Sequence, residues 1–138
     1  MGIRVKNLHN FVGTLKYNQT LTATVNRDLF SVPFAGFISG VRAKLGTAGT
    51  GAQATIVDVN LNGTTVFAAA TKVTLAATTG VASYSALTSA PTPVAAGDIV
   101  SIDIDQIATA PINLAVDVII SRTPLADADH STNLDDVL

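Results

Sequence analysis

The sequence predicts an all-β fold, an antiparallel sandwich or barrel, and three observations carry that prediction. First, the 138 residues are rich in Ala, Thr, Val and Leu and contain no Glu. Glu, Lys and Arg support helix surfaces, whereas Thr and Val suit pleated ones. Second, short alternating segments recur about every ten residues with turn signals between them, the pattern of a sandwich or barrel. Third, Asn62-Gly63 stands between β-branched segments. Asn-Gly suits a type I′ turn because both central residues need φ > 0.

The length suits one domain that buries roughly two-thirds of its unfolded surface. The chain has no cysteine, which excludes disulfides and thiolate metal sites and leaves the redox compartment unreadable. No apolar run approaches the roughly 18 residues of a membrane span. The segment Met1-Gly2-Ile3-Arg4-Val5-Lys6 lacks the apolar stretch of a secretory signal. No membrane association is expected.

Residues 1–26 read as an N-terminal arm. Val5, Leu8, Phe11, Val12 and Leu15 fall partly at helical spacing, but Gly13 interrupts them. From Leu15 to Val25 the pattern alternates weakly, so the arm can add an edge strand. The sandwich is expected over 27–122. Residues 28–34 form its first strand, with Pro33 near the end. In 37–45, Phe37, Ser39, Val41, Ala43 and Leu45 are expected on one face, and Ile38, Gly40, Arg42 and Lys44 on the other. Gly46 to Gly51 is a connector.

Thr55, Val57, Val59 and Leu61 then alternate with Asp58, Asn60 and Asn62, and the Asn-Gly hairpin leads to Thr64-Thr65-Val66-Phe67. Segments 71–76 and 81–88 read as two short strands, and Pro91, Pro93 and Ala95-Ala96-Gly97-Asp98 as the next turn. Val100, Ile102 and Ile104 alternate with Ser101, Asp103 and Asp105. After Pro111, residues 112–121 are the last strand, with Leu114, Val116, Val118 and Ile120 on one face. Residues 123–138 are an acidic tail without regular period, expected to be flexible or docked on a partner. The strands number about eight.

Charge is uneven along the chain. Residues 1–44 hold Arg4, Lys6, Lys16, Arg27, Arg42 and Lys44 against Asp28 alone; residues 45–138 hold Lys72 and Arg122 against nine Asp. Such asymmetry can steer one part of a chain toward another part of a neighbour. The basic residues are sparse and not interleaved with aromatics, so nucleic acid is not an expected partner.

No enzymatic activity and no cofactor are expected. The only histidines, His9 and His130, sit in the arm and the tail, where neither a nucleophilic triad nor a zinc site finds a rigid frame. Gly46 to Gly51 lacks the Lys of a phosphate loop. With no Trp and only Tyr17 and Tyr84, stacking platforms for sugars are missing. No metal is expected either. The residues nearest to a site for a hard cation are Asp58, Asn60, Asp103 and Asp105, which strand pairing can set side by side. Repeated Asp is unusual in strands, and adjacent like charges cost energy, which points to an ion or a cationic partner there.

Two segments carry a resemblance. One is Ile56-Val57-Asp58-Val59-Asn60-Leu61-Asn62-Gly63-Thr64. The other is Val94-Ala95-Ala96-Gly97-Asp98-Ile99-Val100-Ser101-Ile102-Asp103-Ile104-Asp105-Gln106. Together they resemble small jelly-roll domains of tailed-phage virion proteins over roughly residues 30–122. The resemblance implies an eight-stranded jelly-roll-like antiparallel sandwich and a non-enzymatic, trimeric or clustered protein on the virion exterior.

Fibre heads usually end long chains, so a short sandwich behind an arm reads better as a capsid cement or decoration protein bound to the major capsid protein. Its expected contacts with capsid or neighbouring subunits are Arg4, Lys6, Leu8, Phe11 and Lys16 in the arm and Asp127, Asp129, Asp135 and Asp136 in the tail. Phe11 needs a partner surface, either a neighbour or its own domain. The alternative is a fibre or receptor-binding head, with its site on loops 46–53, 77–81 and 106–111.

Overall fold

The computed structural model describes residues 10–68, 71–78, 82–85 and 92–122. They form ten strands and no helix: β1 (Asn10–Thr20), β2 (Thr24–Ser31), β3 (Gly36–Thr47), β4 (Thr55–Leu61), β5 (Thr64–Thr65), β6 (Val73–Leu75), β7 (Ala82–Ser85), β8 (Thr92–Val94), β9 (Ile99–Gln106) and β10 (Ile112–Arg122). One sheet runs β1-β10-β3-β7, with β8 also on β3; the other runs β2-β9-β4-β5, with β6 also on β4. All pairings are antiparallel.

The expected count of eight and the observed ten are reconciled by the edges. β5 and β6 lie in series along one edge of β4, and β7 and β8 in series along one edge of β3. Each sheet therefore has four strand positions. First and last elements are adjacent in one sheet, second and second-to-last in the other, which is the double Greek-key order of a jelly roll. β8 also corrects the reading of Pro93 as turn. Pro93 pairs with Phe37 on a sheet edge, where a missing N–H is tolerated.

The core lies between the sheets. Ile38, Val41, Leu45, Leu114, Val116, Val118 and Ile120 from the first sheet meet Val57, Val59, Val73, Leu75, Val100, Ile102 and Ile104 from the second. The arm expected over 1–26 supplies, from Asn10 onward, the edge strand β1. Phe11 folds back onto its own domain, 5.8 Å from the Phe30 ring and 6.3 Å from that of Phe34. Gly13 on the same strand leaves room for the Phe30 ring, with which a Cβ would collide. The second strand begins at Thr24, not Asp28, and ends at Ser31.

The expected facing of 37–45 holds only from Val41. Ile119 pairs with Gly40 and Ile120 with Ile38, so Ser39 is the extra residue of a β-bulge. The bulge shifts the alternation by one. Phe37 and Ser39 thus face outward while Ile38 is buried, and Arg42 and Lys44 stay outside.

Candidate functional site

Three features are built from residues that the sequence singled out. The first is the meeting of the two segments quoted above. Asn62 (φ 50) and Gly63 (φ 84) form a two-residue turn between Leu61 and Thr64, with both φ values positive as type I′ requires. Asn62 Nδ2 donates to Asp98 Oδ1 at 3.0 Å across 36 residues of sequence. The Ile99 N–H donates to Asn62 Oδ1 at 2.9 Å, and the Asn62 N–H to the Ile99 carbonyl at 2.8 Å. Asp98 Oδ2 also accepts from the Ala95 N–H.

Donation by Ala95 and then by Asn62 holds the Asp98 carboxyl below its ordinary value. The stability it contributes is therefore present above the unfolded-state pKa and lost as pH falls through the folded one. Asn tolerates the left-handed conformation; Ala does so at a cost of about 1–2 kcal/mol. Asn62→Ala should destabilise by at least that much in urea unfolding. Asn62→Gly should retain the turn and show only the loss of the side-chain bonds.

The second feature is the acidic face of β4 and β9. Asp58 and Asp103 stand directly opposite, as do Asn60 and Ser101. Asp105 is the extra residue of a bulge between Ile104 and Gln106. Asp58 and Asn60 are buried although they lie on the face away from the core. Asp58 Oδ1 accepts from the Val59 N–H at 2.8 Å and from the Thr65 hydroxyl.

The cation this patch receives is an ammonium. Lys72 Nζ lies 2.8 Å from Asp58 Oδ2 and 2.7 Å from Asp105 Oδ2. Bonds to Asp105 and then Asp58 raise the Lys72 pKa above 10.5. Among the described residues no three His or Asp side chains are placed to hold a metal ion. Lys72 stands beside two of these aspartates, Asp58 and Asp105, a pairing the sequence reading did not make. Lys72 lies just before β6, and only the pairing of β4 with β6 brings it beside Asp58.

The third feature is the distribution of exposed apolar side chains. Leu29 is 55% exposed, Val12 46%, Ile99 39% and Phe37 38%. Val12 and Phe37 lie on the outer face of the first sheet, Leu29 and Ile99 on that of the second. All four lie toward one end. There Asn10 pairs with Ser121, Gly36 with Arg122, and Val32 exchanges backbone bonds with Gly97 and Asp98. The chain therefore enters β1 and leaves β10 at the end closed by the Asn62–Asp98 contact.

Lys16 lies on β1 and faces outward, in register with Ala115 and, one strand further, Lys44. Arg42 is paired with Asp117 at 3.0 Å, and Asp117 also accepts from Thr14. Arg4, Lys6, Leu8, His9, His130, Asp127, Asp129, Asp135 and Asp136 lie outside the described residues.

At the opposite end, of the three loops assigned to a receptor-binding reading, 46–53 and 106–111 meet, and Thr78 of the third reaches them. Thr50 and Thr109 exchange two backbone hydrogen bonds of 2.9 and 2.8 Å, and the Thr78 N–H donates to the Gly49 carbonyl. Thr78 and Ala110 there hold positive φ angles of 68 and 52, a conformation costly for residues with a Cβ.

No protein-family model matches the chain, and no curated protein matches it. Among solved structures it is similar to a chain of the cyanophage Pam1 capsid asymmetric unit, with 19% identity over 86% of each chain and a TM-score of 0.40.

Proposed function

We propose that this chain is a non-enzymatic structural protein of a tailed-phage virion: a cement or decoration protein that binds the major capsid protein on the outer surface and stabilises the shell. It acts as a homotrimer, without nucleic acid or membrane as partner. The observation that carries this reading is the Asn62–Asp98 contact. The two segments through which the chain resembles virion jelly rolls join each other and close the end from which both termini depart. The exposed Val12, Leu29, Phe37 and Ile99 gather toward that end, as a docking surface requires.

The mechanism is mass action. A protein that binds only the assembled shell stabilises it by the binding free energy, and several contacts from one oligomer add through effective concentration. The arm cations Arg4 and Lys6, outward-facing Lys16 and the tail carboxylates Asp127, Asp129, Asp135 and Asp136 supply the polar contacts. Leu8 and Phe11 complete the proposed set. Phe11 acts through the packing of β1, and Val12 beside it presents the exposed apolar surface.

Removing residues 1–26 would be the wrong test, because it deletes β1 and uncovers an edge of β10. Charge reversal in the full chain avoids this. Arg4→Asp with Lys6→Asp and Lys16→Asp should leave urea unfolding unchanged and weaken cosedimentation with shells of the phage that carries the gene at least tenfold, or about 1.4 kcal/mol. The wild-type chain should raise the temperature at which those shells come apart. A wild-type chain that never cosediments with shells would sink the reading.

A second reading, a fibre or receptor-binding head with its site on loops 46–53, 77–81 and 106–111, is supported by the backbone bonds that join Thr50 to Thr109 and Thr78 to Gly49. Under it, the reversed-charge chain binds host cells normally and substitutions at Thr50 or Thr109 abolish that binding.

A further inference from the structure

Asn62 is followed by glycine, and no other asparagine of the chain is. Asparagine is thermolabile. In this sequence it can react with its own main chain. The nitrogen of the next residue adds to the side-chain carbonyl carbon, and a glycine there has no Cβ to block the approach. Asn62 and Gly63 are both exposed, so water reaches them.

The fold opposes this reaction. In the second sheet β4 lies between β9 and β5, and the turn carries the chain from β4 to β5. The Asn62 carboxamide is held the other way, toward β9. Its Oδ1 accepts from the Ile99 N–H at 2.9 Å, and its Nδ2 donates to Asp98 Oδ1 at 3.0 Å. Nδ2 is the group that has to leave, and a carboxylate acceptor makes the stronger kind of hydrogen bond. Asp98 is itself fixed. Its Oδ2 accepts from the Ala95 N–H at 2.8 Å, and Val32 exchanges backbone bonds with Gly97 and Asp98.

We propose that Asn62 is a site of spontaneous deamidation held closed by Asp98 and Ile99, and that it reacts only when the contact with Asp98 and Ile99 has opened. The Gly63 nitrogen bonds to Asn62 Cγ, the Cγ–Nδ2 bond breaks, and ammonia leaves with the proton that the Gly63 nitrogen gives up. Water then opens the cyclic imide at one of its two carbonyls. One product is aspartate at position 62. The other is isoaspartate, which routes the main chain through the side chain and lengthens it by one methylene. One water is consumed and one ammonia released, with no other reactant.

Either product breaks the contact. Aspartate sets a second carboxylate against Asp98, and like charges that close oppose each other's ionisation. Isoaspartate adds a main-chain atom to a turn whose geometry fits two residues. Val32, Gly36 and Val94 tie this turn region to the end where β10 finishes, so the modification loosens that end.

Peptide mapping by mass spectrometry tests this in the full chain, held in mildly alkaline buffer. Asp98→Ala should convert Asn62 at least tenfold faster than the wild-type chain does, the factor that about 1.4 kcal/mol of opening free energy supplies. In urea that unfolds both chains, the two should convert at one common, faster rate. Asn60, which leucine follows, is the control and should stay intact. A second measurement needs no variant. Hydrogen exchange of the Ile99 N–H reports the opening, and wild-type conversion should rise with it as urea is added below the unfolding transition. The proposal is overturned by a wild-type chain that converts as fast folded as unfolded, by conversion that does not follow Ile99 exchange, or by a folded Asp98→Ala chain that reacts no faster.

The Asn62→Asp chain stands for the first product. At neutral pH it should unfold in less urea than the wild type, and the difference should shrink as pH falls. The groups that face Asp98 are the Ala95 N–H and the side chain at 62, and among the described residues no ion pair includes it. One carboxyl of the new pair has its folded pKa raised, so stability is lost as pH rises through that value. An Asn62→Asp chain as stable as the wild type at neutral pH overturns the loosening. None of these readouts involves shells, so they stand apart from the proposed function.

Discussion

Lys72→Met is expected to destabilise the protein by about 3 kcal/mol, because it leaves a buried charge without its counter-ion. Asp58 is nearly inaccessible, and its two remaining donors, the Val59 N–H and the Thr65 hydroxyl, are neutral. An exposed ion pair would contribute at most about 1 kcal/mol, so urea unfolding separates the two descriptions. Adding Asp58→Asn to Lys72→Met should recover much of the loss, since the buried charge is then gone. If the double variant is no more stable than the single one, the ion pair is not what matters at this position.

The same pair sets an alkaline limit. The folded-state pKa of Lys72 lies above 10.5, the unfolded value. Its contribution is therefore fully present below the unfolded pKa and lost as pH rises through the folded one. The wild-type chain should lose stability above that value, and the Lys72→Met chain should show a flatter alkaline limb.

Gly36→Ala should cost about 3 kcal/mol, at the upper end for overpacking, since the obstacle is main chain. A Cβ at Gly36 would collide with the Ser121 carbonyl oxygen and press on the Ser121 carbonyl carbon and Arg122 Cα. Those atoms belong to β10 where it pairs with β3, Phe37 with Ser121 and Gly36 with Arg122. Relief requires opening the ladder at the end where the chain leaves the sandwich. Gly63→Ala makes the comparison: a Cβ there meets nothing, and only its φ of 84 opposes substitution. A cost at Gly36 no larger than at Gly63 would show that β10 yields easily.

The strands were legible where one face is apolar and the other polar. Leu114, Val116, Val118 and Ile120 alternate without interruption, and the observed strand follows them. The Asn62-Gly63 turn was legible because its backbone conformation restricts which residues can occupy it. β3 was misread in part, because period two carries no mark of an inserted residue. The bulge at Ser39 is a property of the pairing with β10, not of residues 37–45 themselves.

The candidate site divides the same way. Residue type and alternation alone put Asp58, Asn60, Asp103 and Asp105 on polar strand faces and marked the repeated Asp as unusual there. Alternation is a local signal, set by the pleat. That Lys72 stands between Asp58 and Asp105, that Asn62 reaches Asp98, and that the exposed apolar side chains share one end are matters of long-range strand order. Local periodicity does not encode strand order. Burial of the whole apolar surface between two sheets selects it, and only the tertiary structure decided which charges became neighbours and which faces stayed open.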